Sequence, residues 1–428
     1  MWTEVRAATA WSLAWLILVT AGFLLAQRPL SGRWRSVKLT LPVILLIAGL
    51  VRLLPALWLP VGAGYDIESF RLVTDALLGG DEVYTSVLGR HPYLPFQMYI
   101  MGAMSFLAQV TGLPYVFAIK LPAILADVAL TALIYKALTD DGQQLETASF
   151  FALLYALNPV SLLVTAYHGQ FEAITLLLLV LAWFFWHFGR RTRRSGIALG
   201  FAILNKTWPV VFLPIVLMRL RERRERLGYT LLAIGVPILF ILAYLIIFSA
   251  DPLPMLRRAL SHRGVAGYWG PGAILAPAAI QIPDLQPLVD GLVGLRNWLL
   301  LLAVGFALWH TRRQPALDAL LTLLLSLFVV TVGFGIQWLV WLVPFGLLVM
   351  ADRWIRWYSL AAAFMLAVHL YSLHLYPWLG EWLSRPSVDW VVRLSALPAW
   401  LIVFAWTVSR LRRVPIEQAN VGGAGAPG

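Results

Sequence analysis

The sequence predicts an all-α, polytopic transmembrane helical bundle, and three observations carry that prediction. Apolar stretches near ~20 residues recur along the 428 positions, the length a helix needs to cross a bilayer. Hydrophobic residues make up 60% of the chain and charged residues only 13%, with a mean hydropathy of +0.78, whereas an ordinary soluble domain is charged at ~25% of its positions. The basic residues gather in short clusters between the apolar stretches. An outer-membrane barrel would instead show alternating segments of ~10 residues. Cysteine is absent, so neither disulfides nor thiolate-bound metal enters the chemistry. The net charge of +12 could suit nucleic acid, but the arginines punctuate apolar segments rather than share a face. No nucleic-acid partner is expected, and the positive-inside bias accounts for them.

Taken in order, Ala8 to Ala26 has the length of a signal peptide, yet Glu4 precedes it, Arg28 follows it and no small-residue cleavage site ends it. It is expected as a retained span. Placing the clusters at 28–38, 190–194, 219–226, 312–313, 353–356 and 410–413 in the cytoplasm gathers most of the 33 basic residues there. About 11 full spans then fit: 8–26, 39–60, 115–138, 147–165, 171–188, 228–249, 294–311, 316–334, 336–350, 357–376 and 389–409. Residues 195–218 are apolar but lie between two arginine clusters, so a hairpin of two half-length helices is expected there, broken around Asn205, Lys206, Thr207, Trp208 and Pro209. Such breaks are tolerated only where they line a cavity. The aromatic-rich stretch 93–111 reads as an interfacial helix within the first outer loop. The organisation predicted is an extra N-terminal span and cytoplasmic loop (1–37), a catalytic transmembrane module (38–250) with its first outer loop at 61–114, a second outer loop (251–293), a C-terminal module (294–413) and a disordered tail (414–428).

Two polar motifs stand out, GYDIESF (Gly64 to Phe70) and YHGQFE (Tyr167 to Glu172), and both fall on the outer side. Acidic groups near bilayer depth are costly unless they meet water, a cation or a substrate. A carboxylate such as Asp66 can take the proton of an attacking hydroxyl, an effect of ~10² to 10⁴ in rate. Capping of a loop helix is the plainer role for Asp66 and Glu68. A divalent ion between the two is a further option, because hard cations take oxygen ligands, though two carboxylates are thin coordination; no other cofactor is expected. Lys206 lies mid-hairpin at apparent bilayer depth, where a lysine costs ~2.5 to 3.5 kcal/mol. A phosphate would compensate it; snorkelling or pairing with Asp127 are the plainer readings. Arg263, in the second outer loop, is a further phosphate candidate, and Arg52 within the second span poses the same question. His168, Gln170 and Glu172 form a compact polar cluster suited to sugar hydroxyls. Trp269, Trp338 and Trp341 could stack on a sugar or isoprenoid; lipid-facing or interfacial packing is the default, above which only Trp269, in an outer loop, rises.

Asp66 after a span, VYTS (Val83 to Ser86), HPYLPF (His91 to Phe96), LNP (Leu157 to Pro159), YHGQFE, NKTWPVVFLP (Asn205 to Pro214) and IQWLVWLVPF (Ile336 to Phe345) together resemble the GT-C superfamily of integral membrane glycosyltransferases. They are most similar to the branch of the first GPI-anchor mannosyltransferase, the dolichol-linked oligosaccharide glucosyltransferases and the prokaryotic polyprenol-phosphate-mannose-dependent transferases. The resemblance covers about residues 38 to 350. It implies a polyprenyl-phosphate sugar donor, inverting transfer on the extracytoplasmic side and a catalytic acid in the first outer loop, which Asp66 matches. Several relatives have adjacent acids there, where this chain reads Asp-Ile-Glu, so a shared role for Glu68 stays open. The expected activity is hexosyl transfer, mannose before glucose or a pentose, to a lipid, lipid-linked glycan or protein acceptor, in the plasma (inner) membrane of a prokaryote. A transporter or lipid flippase is the competing class. It predicts two similar halves, which the sequence does not display: the acidic first loop has no counterpart and the hairpin occurs once.

Overall fold

The computed structural model describes residues 2–27, 39–58, 63–261 and 264–412. Arg263, the tail 414–428 and the basic segment 28–38 lie outside the described residues. Helix α1 (Trp2–Ala26) leads to α2 (Leu41–Trp58). The first outer loop is itself helical, with α3 (Gly64–Gly79), α4 (Val83–Ser86) and α5 (Phe96–Thr111), the last close to the helix expected at 93–111. Next come α6 (Tyr115–Asp140), α7 (Leu145–Ala156), a short α8 (Pro159–Leu162) that widens into a π turn (Leu163–His168), and α9 (Glu172–His187). Asn158 caps α8, its side-chain oxygen accepting from the Val160 and Ser161 amides.

The hairpin at 195–218 is present. Helix α10 (Thr192–Asn205) ends at Lys206, a 3₁₀ turn (Trp208–Val211) follows, α11 (Phe212–Leu217) returns, and α12 (Arg223–Ile247) leaves again. Gly196 packs on Tyr229 and Leu232 while Gly200 packs on Val236, so α10 and α12 run parallel and the chain between them must double back. A β-carbon at Gly200 would stand 2.8 Å from that of Val236, which is how small residues four apart bring membrane helices together.

The second outer region holds α13 (Pro252–Ser261), strand β1 (Val265–Ala266) and α14 (Gly272–Gln281), but α15 (Gln286–His310) begins well before the expected residue 294. After it, α16 (Ala316–Val330), strand β2 (Gly333–Phe334), a 3₁₀ turn (Ile336–Trp341) and α17 (Leu342–Leu348) repeat the hairpin design. Trp208 and Pro214 in one hairpin have the same spacing as Trp338 and Pro344 in the other. The expectation that the hairpin occurs once is therefore corrected, and with it the expected full spans at 316–334 and 336–350. A 14- or 15-residue helix rises only about 21–23 Å, short of the ~30 Å hydrocarbon core, so both breaks fall within membrane depth. Helices α18 (Asp352–Leu379), α19 (Arg385–Leu394) and α20 (Leu397–Leu411) complete the chain. Among the described residues seven helices are long and apolar enough to cross a membrane, four fewer than the expected 11 spans: α9, α16 and the arm at Ile336–Leu348 are short, and α18, although 28 residues long, is not one of the seven.

The basic clusters meet at one end of the bundle. Arg219 donates to the carbonyls of Thr311 and Gln314, Arg410 pairs with Asp318, and Arg356 donates to Gln27. In the interior, Arg52 is fully buried. Its Nε donates to Asp127 Oδ2 at 3.0 Å, Nη2 to Ser161 Oγ at 2.9 Å and Nη1 to the carbonyls of Ala48 and Ala156. Tyr155 and Ser161 also donate to Asp127. Arg52 thus ties α2, α6 and α8 together, and Asp127 belongs to it rather than to Lys206. Removing one partner of a buried pair strands a charge. Asp127→Ala is expected to lower stability by about 3–5 kcal/mol, measured as denaturant unfolding in detergent.

Candidate active site

Both motifs singled out in the sequence converge at the end of the bundle opposite the arginine clusters. Asp66 lies in the first turn of α3, where exposed amides favour an anion. The α9 end of the π turn places His168 and Gln170 over it: His168 Nε2 and Gln170 Nε2 each lie 2.8 Å from Asp66 Oδ2. The Ala63 amide donates to the His168 carbonyl at 3.1 Å, fixing one segment against the other. Between the two ligating side chains sits Gly169 with φ +87°, where a β-carbon would stand 3.2 Å from both Ile67 and Lys120. Only glycine suits that backbone and that space. Lys120, fully buried, donates to the carbonyls of Ala166 and Tyr167 at 2.9 and 3.0 Å and so satisfies the turn from beneath.

Burial raises the Asp66 pKa, but the hydrogen bonds and charge of His168, the amide of Gln170 and the charge of Lys206 outweigh it, so the carboxyl is held below its ordinary value of 3.8. It is an anion at neutral pH. Glu68, two residues along the helix and hence on another side of it, is exposed.

Asp66 and His168 line a cavity of about 650 Å³ walled also by Tyr65, Tyr268, Gln337, Trp338 and His369. A neighbouring cavity of about 270 Å³ contains Tyr93, Lys206, Thr207, Arg296, Asn297 and Trp341, and the two share Gly264 and Trp338. Lys206 pairs with Glu172, whose other oxygen accepts from Trp341 Nε1 at 2.9 Å. The ammonium also lies 4.9 and 4.6 Å from the ring centres of Tyr93 and Phe171, a cation–π setting. Glu172 is therefore a buried counter-ion below the cavity rather than a group facing a sugar. Arg296 has no hydrogen-bond or ion-pair partner among the described residues.

The first outer loop is braced for this purpose. Tyr244 of α12 donates to Glu82 Oε1 at 2.7 Å and accepts from the Val83 amide, and Tyr84 donates to the Tyr93 carbonyl at 2.8 Å. Trp338 and Trp341, for which lipid-facing or interfacial packing is the default and stacking on a sugar or isoprenoid the alternative, form the cavity wall, with Trp208 stacked on Trp341 at 4.2 Å. Trp269 turns the other way. It is buried and stacked on Phe334 at 4.1 Å, its indole donating to the Phe328 carbonyl, and its neighbour Tyr268 takes the cavity wall.

Sequence reasoning passed over Lys120, Tyr268, Arg296 and His369. Arg296 and Asn297 were legible as polar residues inside an expected span, as was His369. Nothing local marked Tyr268 over Trp269.

The sequence profile of glycosyltransferase family 87 matches residues 98–334, from α5 to β2. The match includes His168, Gln170, Glu172, Lys206, Tyr268 and Arg296 and leaves Asp66 and His369 outside. No curated protein matches the chain. Gly169→Ala is expected to destabilise the protein by about 1–2 kcal/mol, the cost of a left-handed residue with a β-carbon, measured by thermal unfolding in detergent and accompanied by displacement of His168 from Asp66.

Proposed function

The chain belongs to glycosyltransferase family 87, one of the GT-C-like families of membrane glycosyltransferases, and we propose that it moves a hexose, mannose first, from a polyprenyl phosphate to an acceptor hydroxyl on the extracytoplasmic side. The observation that carries this reading is the pairing of an anionic carboxylate in one cavity with two cations in the adjoining one. Asp66 faces the larger space; Lys206 and Arg296 line the smaller.

The acceptor enters beside Asp66 and its oxygen attacks the anomeric carbon from the face opposite the phosphate. The C–O bond to phosphate breaks as the new glycosidic bond forms, with inversion. The attacking oxygen becomes acidic as it bonds to carbon, so even a carboxylate of lowered pKa takes its proton late in the step. The electron pair of the broken bond stays on the phosphate, which leaves as a monoester with added negative charge. Fixed cations stabilise such charge where water is scarce. Lys206, held by Glu172, and Arg296, without a protein partner among the described residues, suit that role. The reading needs no cation between Asp66 and Glu68, which lie on different sides of α3. Both hairpin breaks border the cavities, which supports a membrane-embedded site with room for an isoprenoid to approach from the lipid.

Purified protein incubated with radiolabelled polyprenyl-phosphate mannose and a membrane lipid extract is expected to transfer label, and Asp66→Asn to lose at least about 100-fold of the rate. Equal transfer by both would remove Asp66 from its role. Arg296→Ala is expected to raise the donor KM by roughly 10- to 100-fold, the worth of a hydrogen bond to a charged group, read from the same assay. The Asp66 carboxylate is stabilised in the folded protein, so activity stays level through neutral pH and falls only as pH drops below the ordinary 3.8. In His168→Ala a donor to the anion is gone and burial remains, so the acid limb of the pH–rate profile moves upward. Because the chain lacks cysteine, single cysteines at Tyr65 and Arg191 report sidedness: Tyr65→Cys is expected to react with an impermeant maleimide in intact cells and Arg191→Cys only after lysis.

A further inference from the structure

The segment Gly264 to Gly272 crosses the site as a strap, and each of its first glycines answers a close approach. A β-carbon at Gly264 would lie 2.4 Å from the Phe334 backbone, across the β1–β2 pair; one at Gly267 would lie 2.4 Å from Arg393 Nη1, and one at Gly270 2.9 Å from Trp400 Nε1. Gly267 and Gly270 have φ of +82° and +59°. The strap therefore has one tight path, which buries Trp269 and turns Tyr268 to the cavity that holds Asp66.

Tyr268 is gripped from the far side. Its hydroxyl donates to Asp389 Oδ1 at 2.9 Å, and Arg393 Nε donates to Asp389 Oδ2 at 2.6 Å. The same guanidinium donates to the Gly267 carbonyl at 2.7 Å and lies 4.2 Å from the centre of the Tyr268 ring. The ring edge meets His369, centroids 6.1 Å apart. Helix α19 buries Val388 and Val392, which holds Asp389 and Arg393 in place one turn apart.

We propose that Tyr268 is a specificity-determining residue, the wall against which the acceptor head group is seated beside Asp66, and that Asp389 and Arg393 are positioning residues that fix its ring. The inference rests on the glycosyltransferase reading. The chemistry suits a hydroxyl-rich head group: a rigid aromatic wall limits depth of entry, while Asp66, His168 and Gln337 supply polar partners around it. The cations of the donor side lie in the other cavity, which Tyr268 does not line, so Tyr268 acts on the acceptor.

The test is steady-state transfer from radiolabelled polyprenyl-phosphate mannose to a titrated membrane lipid extract. Tyr268→Ala is expected to raise the apparent acceptor KM roughly tenfold, the order of a lost aromatic wall, with donor KM and kcat within about twofold. Tyr268→Phe and Asp389→Asn each give a smaller rise, and the double variant is no worse than the worse single, because the first removes and the second weakens the same hydroxyl–carboxylate contact. Arg393→Lys recovers part of what Arg393→Ala loses. An unmoved acceptor KM in Tyr268→Ala, a shift confined to donor KM, or additive effects of Tyr268→Phe and Asp389→Asn would overturn the proposal. Monodisperse elution in detergent checks folding; if Tyr268→Ala fails it, the Tyr268→Phe and Asp389→Asn pair decides. A wild type that transfers no label removes the glycosyltransferase reading and this proposal together, whereas active wild type with unmoved variants removes this one alone.

Discussion

Backbone that leaves the helix at membrane depth has to find its hydrogen bonds inside the protein, and the turn from Leu163 to Glu172 is where this fold meets that demand. Lys120 donates to two of its carbonyls, Ala63 to a third, and Gly169 supplies the left-handed residue that lets the chain turn into α9. Because the turn is held from below and from the side, His168 and Gln170 can be spent on Asp66 and Glu172 on Lys206. The partners of both Asp66 and Lys206 therefore come from these ten residues. A buried amino group under a π turn is also costly to misplace, since an unsatisfied donor in an apolar interior carries a penalty of about 1–3 kcal/mol.

The charge arrangement follows from the same economy of partners. Arg52 and Asp127 satisfy each other within the helical core, with Tyr155, Ser161 and two carbonyls completing the set. That pair is closed. The ions near the cavities are open by comparison: Asp66 keeps part of its surface exposed, Lys206 has one carboxylate and two aromatic faces, and Arg296 has no partner among the described residues. A membrane protein holding charge at depth without full internal pairing has a use for it, and the use we propose here is a charged leaving group and an acidic hydroxyl.

The two hairpins supply the architecture for this. Each replaces a full crossing by a helix of 14 or 15 residues, a break and a short return. Their breaks bring Lys206, Trp208, Trp338 and Trp341 to the cavity walls. The similarity of the two was hard to see in the sequence because residues 316–350, flanked like the first hairpin by arginines at 312–313 and 353–356, are long enough for two crossings. A return to the same side therefore needed no break, and the segment read as two ordinary spans. The first was legible because crossing once would have put arginines on the wrong side.

Composition and charge spacing alone determined the all-helical membrane class, the end at which the basic clusters gather, the hairpin at 195–218 and the two polar motifs, since each depends on the cost of placing a residue type in lipid, and that cost is local. Partnership was decided only by the tertiary structure. Whether Lys206 meets Asp127 or Glu172, whether Glu68 joins Asp66, and whether Trp269 or Tyr268 faces the cavity all turn on which helices touch and at what height. Those distances arise from packing among segments far apart in the chain. No reading of neighbouring residues contains them.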